Sequence, residues 1–253
     1  MSSIIFQKSD HCAKLILNRP PLNLMNLDMM TEIGDALETL HREDHIKLIV
    51  VASNCKLFSA GIDMVDHTAQ KVFYLLESFH RIFLTMVELG KPTLAVVNGP
   101  ALGGGCELAA FCDLVIASEN AKFGQPEVRV GVFPPVASVV FPYLVGKKKA
   151  MELLLLGDPI DAQEALSLGL VNRIVPHDRL DEAVKDVASK IVMNSGPVLQ
   201  MMKKTMLSGE GLNFQDALKN SQDIYLNQLM ALEDTQEGLK AFSERRAPVW
   251  KDK

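Results

Sequence analysis

The sequence predicts an α/β fold whose last quarter is entirely helical. Up to roughly residue 180, short apolar runs alternate with stretches of helical periodicity, the rhythm of strand and helix units. Beyond that point apolar residues recur only at helical spacing, with Gly or Pro between several of the segments. With 48 % apolar residues among 253, the chain has ample material for a core and needs no covalent staples. The expected division is a strand-and-helix core over 1–180 and a helical region over 181–253.

Taken in order, Cys12 to Leu17 reads as a strand, and Leu27, Met30, Ile33, Leu37 and Leu40 fall on one face of a helix. Ile46 to Ala52 reads as the next strand, and about Ala69 to Leu89 as a long helix. A strand at Thr93 to Val97 enters a glycine-rich turn, followed by a short helix from Gly104 to Cys112 and a strand at Leu114 to Ala117. In the last quarter, Asp181 to Met193, Val198 to Leu207, Phe214 to Leu232 and Asp234 to Arg246 each read as one helix. They carry more apolar positions than one small appendage covers, so packing against further copies of the chain, a homo-oligomer, is expected.

Bulk properties exclude several classes. A net charge of −5 disfavours a general nucleic-acid binder, which needs surplus Lys and Arg to displace counterions from phosphates. The dense basic triplet Lys147 to Lys149 is either a solvated helix start or a group near an anionic ligand. No stretch approaches the ~18 consecutive apolar residues of a membrane span, and the start MSSIIFQKSD lacks a signal pattern, so a cytoplasmic protein without membrane contact is expected. Cys12, Cys55, Cys106 and Cys112 form no C-x-x-C pair and have no His at zinc-finger spacing. They are expected to be reduced, buried and inert, and neither a metal nor a redox cofactor is implied.

Three segments carry chemistry. In Asn98-Gly-Pro-Ala-Leu-Gly-Gly-Gly-Cys-Glu-Leu-Ala-Ala-Phe-Cys-Asp113 a strand ends in glycines and a helix begins, leaving unpaired N–H groups at the positive end of the helix dipole. It is no dinucleotide fingerprint, since Leu108 stands where the last glycine of G-x-G-x-x-G belongs, and no phosphate loop, since G-K-[ST] is absent. Three glycines also serve simply to bring a helix close to a sheet, and Glu107 alone would be an ordinary first-turn acid. In Ala121-Lys-Phe-Gly-Gln-Pro-Glu127, Gly124 and Pro126 break regular structure and place Glu127 on a constrained loop. In Lys56-Leu-Phe-Ser-Ala-Gly-Ile-Asp63, directly after a strand, Gly61 permits an unusual turn, and its N–H groups are candidates to line a second side of the pocket at the helix start.

These segments, in this order, resemble the motifs of the crotonase (enoyl-CoA hydratase/isomerase) superfamily. The resemblance covers nearly the whole chain, including the tail Ala241-Phe-Ser-Glu-Arg-Arg-Ala-Pro-Val-Trp250. It implies a spiral of β-β-α units with a helical C-terminal region mediating assembly into a trimer or a dimer of trimers. It also implies an acyl-CoA thioester as substrate, with coenzyme A entering only as part of it. By resemblance, the N–H groups of Ile62 and Gly104 form an oxyanion hole, and Glu107 in G-G-G-x-E and Glu127 in G-Q-P-E match the two hydratase acids. Such donors stabilise an enolate oxygen most strongly in the transition state. Two carboxyl groups at one water resist joint ionisation, so one tends to hold a proton while the other accepts from the water. The implied reaction adds hydroxide at the β-carbon while Glu127 exchanges the α-proton.

Further substrate-binding candidates are Ala60, Asp63, His67, Phe133 and Pro135, and by family position Lys56, Phe242 and Arg245 for coenzyme A, the last two reaching a neighbouring subunit. Asp63 suits a turn cap at least as well, and Asp66 with His67 equally reads as a solvated pair. Pro135 departs from the family pattern, standing where typical hydratases carry a glycine. Proline has no N–H to offer a catalytic water, and it stiffens the segment. The run Val132-Phe-Pro-Pro-Val-Ala137, with Ala60-Gly-Ile-Asp-Met-Val-Asp-His67, is similar to hydratases of cyclic dienoyl-CoA compounds. Two rivals remain: a double-bond isomerase of the same fold, which often keeps one glutamate, and a non-catalytic scaffold, which would show eroded glutamates and a basic face.

Overall fold

The computed structural model describes residues 2–253, among which nine strands and ten α-helices are formed. The hairpin of β1 (Ile4–Lys8) and β2 (Cys12–Leu17) leads through α1 (Leu27–Glu38) to β3 (Leu48–Ser53), and α2 (Val72–Leu89) connects to β4 (Thr93–Val97). With β6 (Leu114–Ser118) and β9 (Arg173–Val175) these strands make a six-stranded sheet ordered β1-β2-β3-β4-β6-β9, parallel everywhere except at β1. A second sheet joins β5 (Ala101–Leu102), β7 (Lys122–Gly124) and β8 (Ile160–Asp161), and isolated bridges at Ser59 with Ala101 and at Met25 with Ile62 extend it. Each passage of the chain therefore gives one strand to the large sheet and one short segment to the small one, then closes with a helix. This is the expected spiral of β-β-α units.

The local causes are visible in the sequence. Asn26 caps α1 by accepting from the N–H of Met29 at 3.1 Å, and the helix turns Met29, Met30, Ile33 and Leu37 inward. α2 stops at Gly90, whose left-handed φ of 61° suits glycine. Strands β3, β4 and β6 read as unbroken apolar runs because both their faces are covered. Ile49, Val51, Ala95, Val97 and Val115 face the main core with α1 and α2, together with α3 (Gly104–Phe111). Leu48, Val50, Leu94, Val96 and Ile116 face Leu180 and Ala183 of α7 (Leu180–Val192).

Several details differ from the sequence reading. Residues 126–157 do not continue the strand-and-helix rhythm. They form a 3₁₀ turn at Pro126–Val130, then α4 (Pro135–Leu144) and α5 (Lys147–Leu156), before α6 (Ala162–Ser167). The lysine triplet opens α5, with Lys149 paired to Glu152 and Glu164, so its helix-start reading holds. After α8 (Gly196–Gly209), the helix expected over Phe214 to Leu232 ends as α9 (Phe214–Asn227). A 3₁₀ turn at Leu229–Ala231 follows, tied to α10 (Glu233–Ser243) by Thr235 Oγ1 on the Leu229 carbonyl and Gln236 Nε2 on that of Met230. Cys106 and Cys112 are buried as expected, whereas Cys12 and Cys55 are only half-buried; burial raises the pKa of all four thiols. No helix among the described residues is long and apolar enough to cross a membrane.

The last residues are stitched to the body. Lys47, 3 % exposed, donates to Asp252 at 2.8 Å and to the carbonyl of Asn194 at 3.0 Å. Asp252 also accepts from Gly196 N–H, and buried Asp234 accepts from the N–H groups of Lys251 and Asp252. Trp250 Nε1 donates to the Met193 carbonyl at 2.7 Å.

Candidate active site

The three glycines at the start of α3 each meet a different segment. A Cβ at Gly103 would stand 2.5 Å from Glu127 Oε1, one at Gly104 2.8 Å from Ile62 Cγ1, and one at Gly105 2.5 Å from Ser59 Cβ. Gly103 also has φ 52° and ψ −131°, a conformation that side chains with a Cβ rarely adopt. Close packing and site formation are thus one requirement here. The run lets the helix start, the Ser59–Ile62 turn and the Glu127 turn come together.

Two N–H groups are left free at this meeting point. Gly104 is the first residue of α3, so its N–H has no partner within the helix. Ile62 is gripped on both sides, by Met25 N–H on the Gly61 carbonyl at 2.8 Å and by Asp63 N–H on the Met25 carbonyl at 2.9 Å, but donates to nothing itself. Among the described residues neither N–H has a protein acceptor. Gly61, at φ 106°, sets the turn, and a Cβ there would lie 3.1 Å from the Leu102 carbonyl oxygen.

Both acids reach the same place. Glu107, in the first turn of α3 and 2 % exposed, accepts from Ala137 N–H at 2.7 Å. Ala137 lies in the first turn of α4, so the positive end of that helix points at this carboxyl. Burial nevertheless pushes Glu107 up to about 7, against the stabilising backbone N–H, with the charge of Glu127 adding to the rise. Glu127 lies in the 3₁₀ turn rather than in an irregular loop, because Pro126 has the φ of a first helical position. Burial pushes it up to about 6, and its Oε2 is buried without a partner. Burial thus holds both carboxyls above the ordinary carboxylate range, Glu107 the further of the two. Gln125, fully buried against Cys106, likewise leaves both amide atoms unbonded to protein.

The remaining candidates divide into those at the site's edge and those away from it. Ala60 is anchored through its N–H to the Leu22 carbonyl at 2.9 Å. Asp63 caps the turn Met64–Asp66 by accepting from Val65 N–H at 3.2 Å and pairs with Arg19 at 3.0 Å, so its structural role is the visible one. Asp66 is buried, paired with Lys71 at 2.8 Å and accepting from Leu27 N–H; this corrects the solvated-pair alternative. His67 has a buried Nδ1 with no partner. Pro135 opens α4, so the stiff loop expected there is a helix start, for which proline's missing N–H is no loss.

Phe133 is 70 % exposed and Phe242 86 % exposed, while Lys56 stands exposed on a turn packed against Gly99. Arg245 follows α10 with φ 55°. No hydrogen bond or ion pair among the described residues joins Lys56, Phe133, Phe242 or Arg245 to the acid pair. In the sequence, Val136 and Ala137 figure only within the Val132–Ala137 run and not as neighbours of Glu107. Nothing in the pattern singled out Asn23 or Ser59.

A family model described as enoyl-CoA hydratase/isomerase matches residues 7–253. The chain is 36 % identical over 250 residues to a crotonyl-CoA hydratase of Syntrophomonas wolfei, covering 96 % of each chain. It is 33 % identical over 254 residues to a 2,3-dehydroadipyl-CoA hydratase of Escherichia coli, covering 99 % of each. It superposes on the crystal structure of an enoyl-CoA hydratase from Bacillus anthracis with a TM-score of 0.94 at 28 % identity, over 100 % of both chains.

Proposed function

Since the chain belongs to the enoyl-CoA hydratase/isomerase family, we propose that it is an enoyl-CoA hydratase in which Glu107 and Glu127 act on one water beside an oxyanion hole of Ile62 and Gly104 N–H. The observation that carries this reading is the convergence of two unpaired backbone donors with two carboxyls whose pKa values are raised by burial. In the reaction the water oxygen bonds the β-carbon and the double-bond electrons move onto the thioester oxygen, where the two N–H groups receive the charge. Glu127 takes a proton from the water and delivers one to the α-carbon as the enolate collapses. Glu107, the more deeply buried acid, keeps the shared proton and holds the water. Both acids are present, which favours hydration over isomerisation.

The acyl group we propose is a cyclic conjugated dienoyl thioester. In support, the Val132–Ala137 run resembles that subgroup, Pro135 and Val136 add bulk at the helix start beside Glu107, and His67 brings a buried ring nitrogen to the preceding turn. Lys56, Phe242 and Arg245 are proposed to hold the coenzyme A moiety. The exposed Phe214, Leu218, Tyr225 and Leu226 of α9 support a homo-oligomer, trimer or dimer of trimers. Sedimentation should give that mass, and Leu218→Asp should shift it toward monomer.

The activity is tested by incubating straight-chain enoyl-CoA and cyclic dienoyl-CoA thioesters in oxygen-18 water. Label is expected on the β-carbon with wild type and with neither Glu107→Gln nor Glu127→Gln. Rearrangement without label would make the enzyme an isomerase, and label only on straight-chain products would remove the cyclic substrate.

A further inference from the structure

One buried residue outside the motifs reaches the loop that carries a proposed donor. Asn23 is fully buried with a left-handed φ of 46°. Its Oδ1 accepts from Arg19 N–H at 2.7 Å and from the Cys55 thiol at 3.3 Å. Its Nδ2 donates to the Phe58 carbonyl at 3.0 Å and to Ser53 Oγ at 2.9 Å. Its own carbonyl accepts from Ser59 Oγ at 2.7 Å. That hydroxyl in turn accepts from Gly61 N–H at 3.1 Å, one residue before Ile62. Ser59 is fully buried too, and its Cβ fills the space that a side chain at Gly105 would need, next to Gly104.

We propose that Asn23, acting through Ser59, is a positioning residue that sets the aim of the Ile62 N–H relative to that of Gly104. The proposal rests on the oxyanion-hole reading above. Asparagine meets both demands of the position, tolerating a left-handed backbone and offering an acceptor and two donors at the end of a short side chain. The bonds from its amide and carbonyl fix Phe58 and Ser59. The pairing of Ser59 with Ala101, with Leu102 N–H on the Ser59 carbonyl at 2.9 Å, then fixes that turn to the segment leading into Gly104. Asn23 touches neither acid by hydrogen bond, so its effect on the reaction passes through geometry alone.

The test uses a chromophoric aryl-enoyl-CoA thioester, whose absorption moves to longer wavelength when its carbonyl is polarised in the site. Asn23→Gly keeps the backbone conformation and removes the amide, and Ser59→Ala removes only the hydroxyl. Glu127→Gln serves as a control that loses hydration while keeping the wavelength shift. Both positioning variants are expected to lose most of the shift and roughly 10 to 100-fold in kcat, as misaimed groups do. KM should stay within about twofold, because binding of the thioester does not depend on these bonds. A wild-type shift and kcat in both variants would overturn the proposal. No shift in wild type would overturn the oxyanion hole itself, which separates the two failures. Should Asn23→Gly not fold, Ser59→Ala decides alone.

Discussion

Glu107 and Glu127 have ordinary neighbours in sequence and extraordinary ones in space. Folded Glu107 titrates near 7 against an ordinary 4.5, so the folded chain keeps a proton that the unfolded chain has already released. Its contribution to stability is complete below about pH 4.5 and is lost as pH rises through about 7. Glu107→Gln should therefore gain stability relative to wild type by ~2 to 3 kcal/mol between pH 5 and pH 8, read from urea unfolding at the two values. Parallel pH dependences would mean that this carboxyl is not held protonated by the fold. The motif G-G-G-x-E made Glu107 visible in the sequence. Its burial and its bond to Ala137 were not, because that partner lies on another helix some thirty positions later. The same holds for Asn23, whose role depends on residues 53–59 folding back over it.

Long elements declared themselves through periodicity, and α7 is the clearest case. Its apolar stripe alone covers the second face of the parallel sheet, with Leu180 packed among Val50, Val96 and Ile116. Leu180→Ala should cost about 2 to 4 kcal/mol in urea unfolding while leaving kcat unchanged, since the acids lie on the opposite face. The short strands β5, β7 and β8 could not be read from the sequence. Two or three residues carry no period, and their strand character comes wholly from partners such as Ala101 with Phe123 and Phe123 with Ile160. α4 stayed hidden for another reason: Pro134, Pro135 and Pro142 suggest breakage, yet one opens the helix and another sits within it. With α4 unassigned, the Ala137 N–H in its first turn that holds Glu107 stayed out of view.

Across the whole molecule the spiral is locked by a bond between distant parts of the chain, Lys47 to Asp252. Both partners are largely shielded, so removing one strands a charge. Asp252→Ala should lower stability by about 3 kcal/mol. Asp252→Asn, which can still accept from Lys47 and Gly196, should lose less; equal losses would assign the effect to packing. The proposed oxyanion hole is also a whole-molecule feature, since its two N–H groups come from successive turns of the spiral and belong to the main chain. Their chemistry is independent of which side chains they carry. The turn set by Gly61, with Met25 bonded on both sides of residue 62, presents the Ile62 N–H. On the proposed reading, activation of the thioester is a property of the backbone and choice of the acyl group one of the side chains around it, so a substitution that redirects the second leaves the first in place.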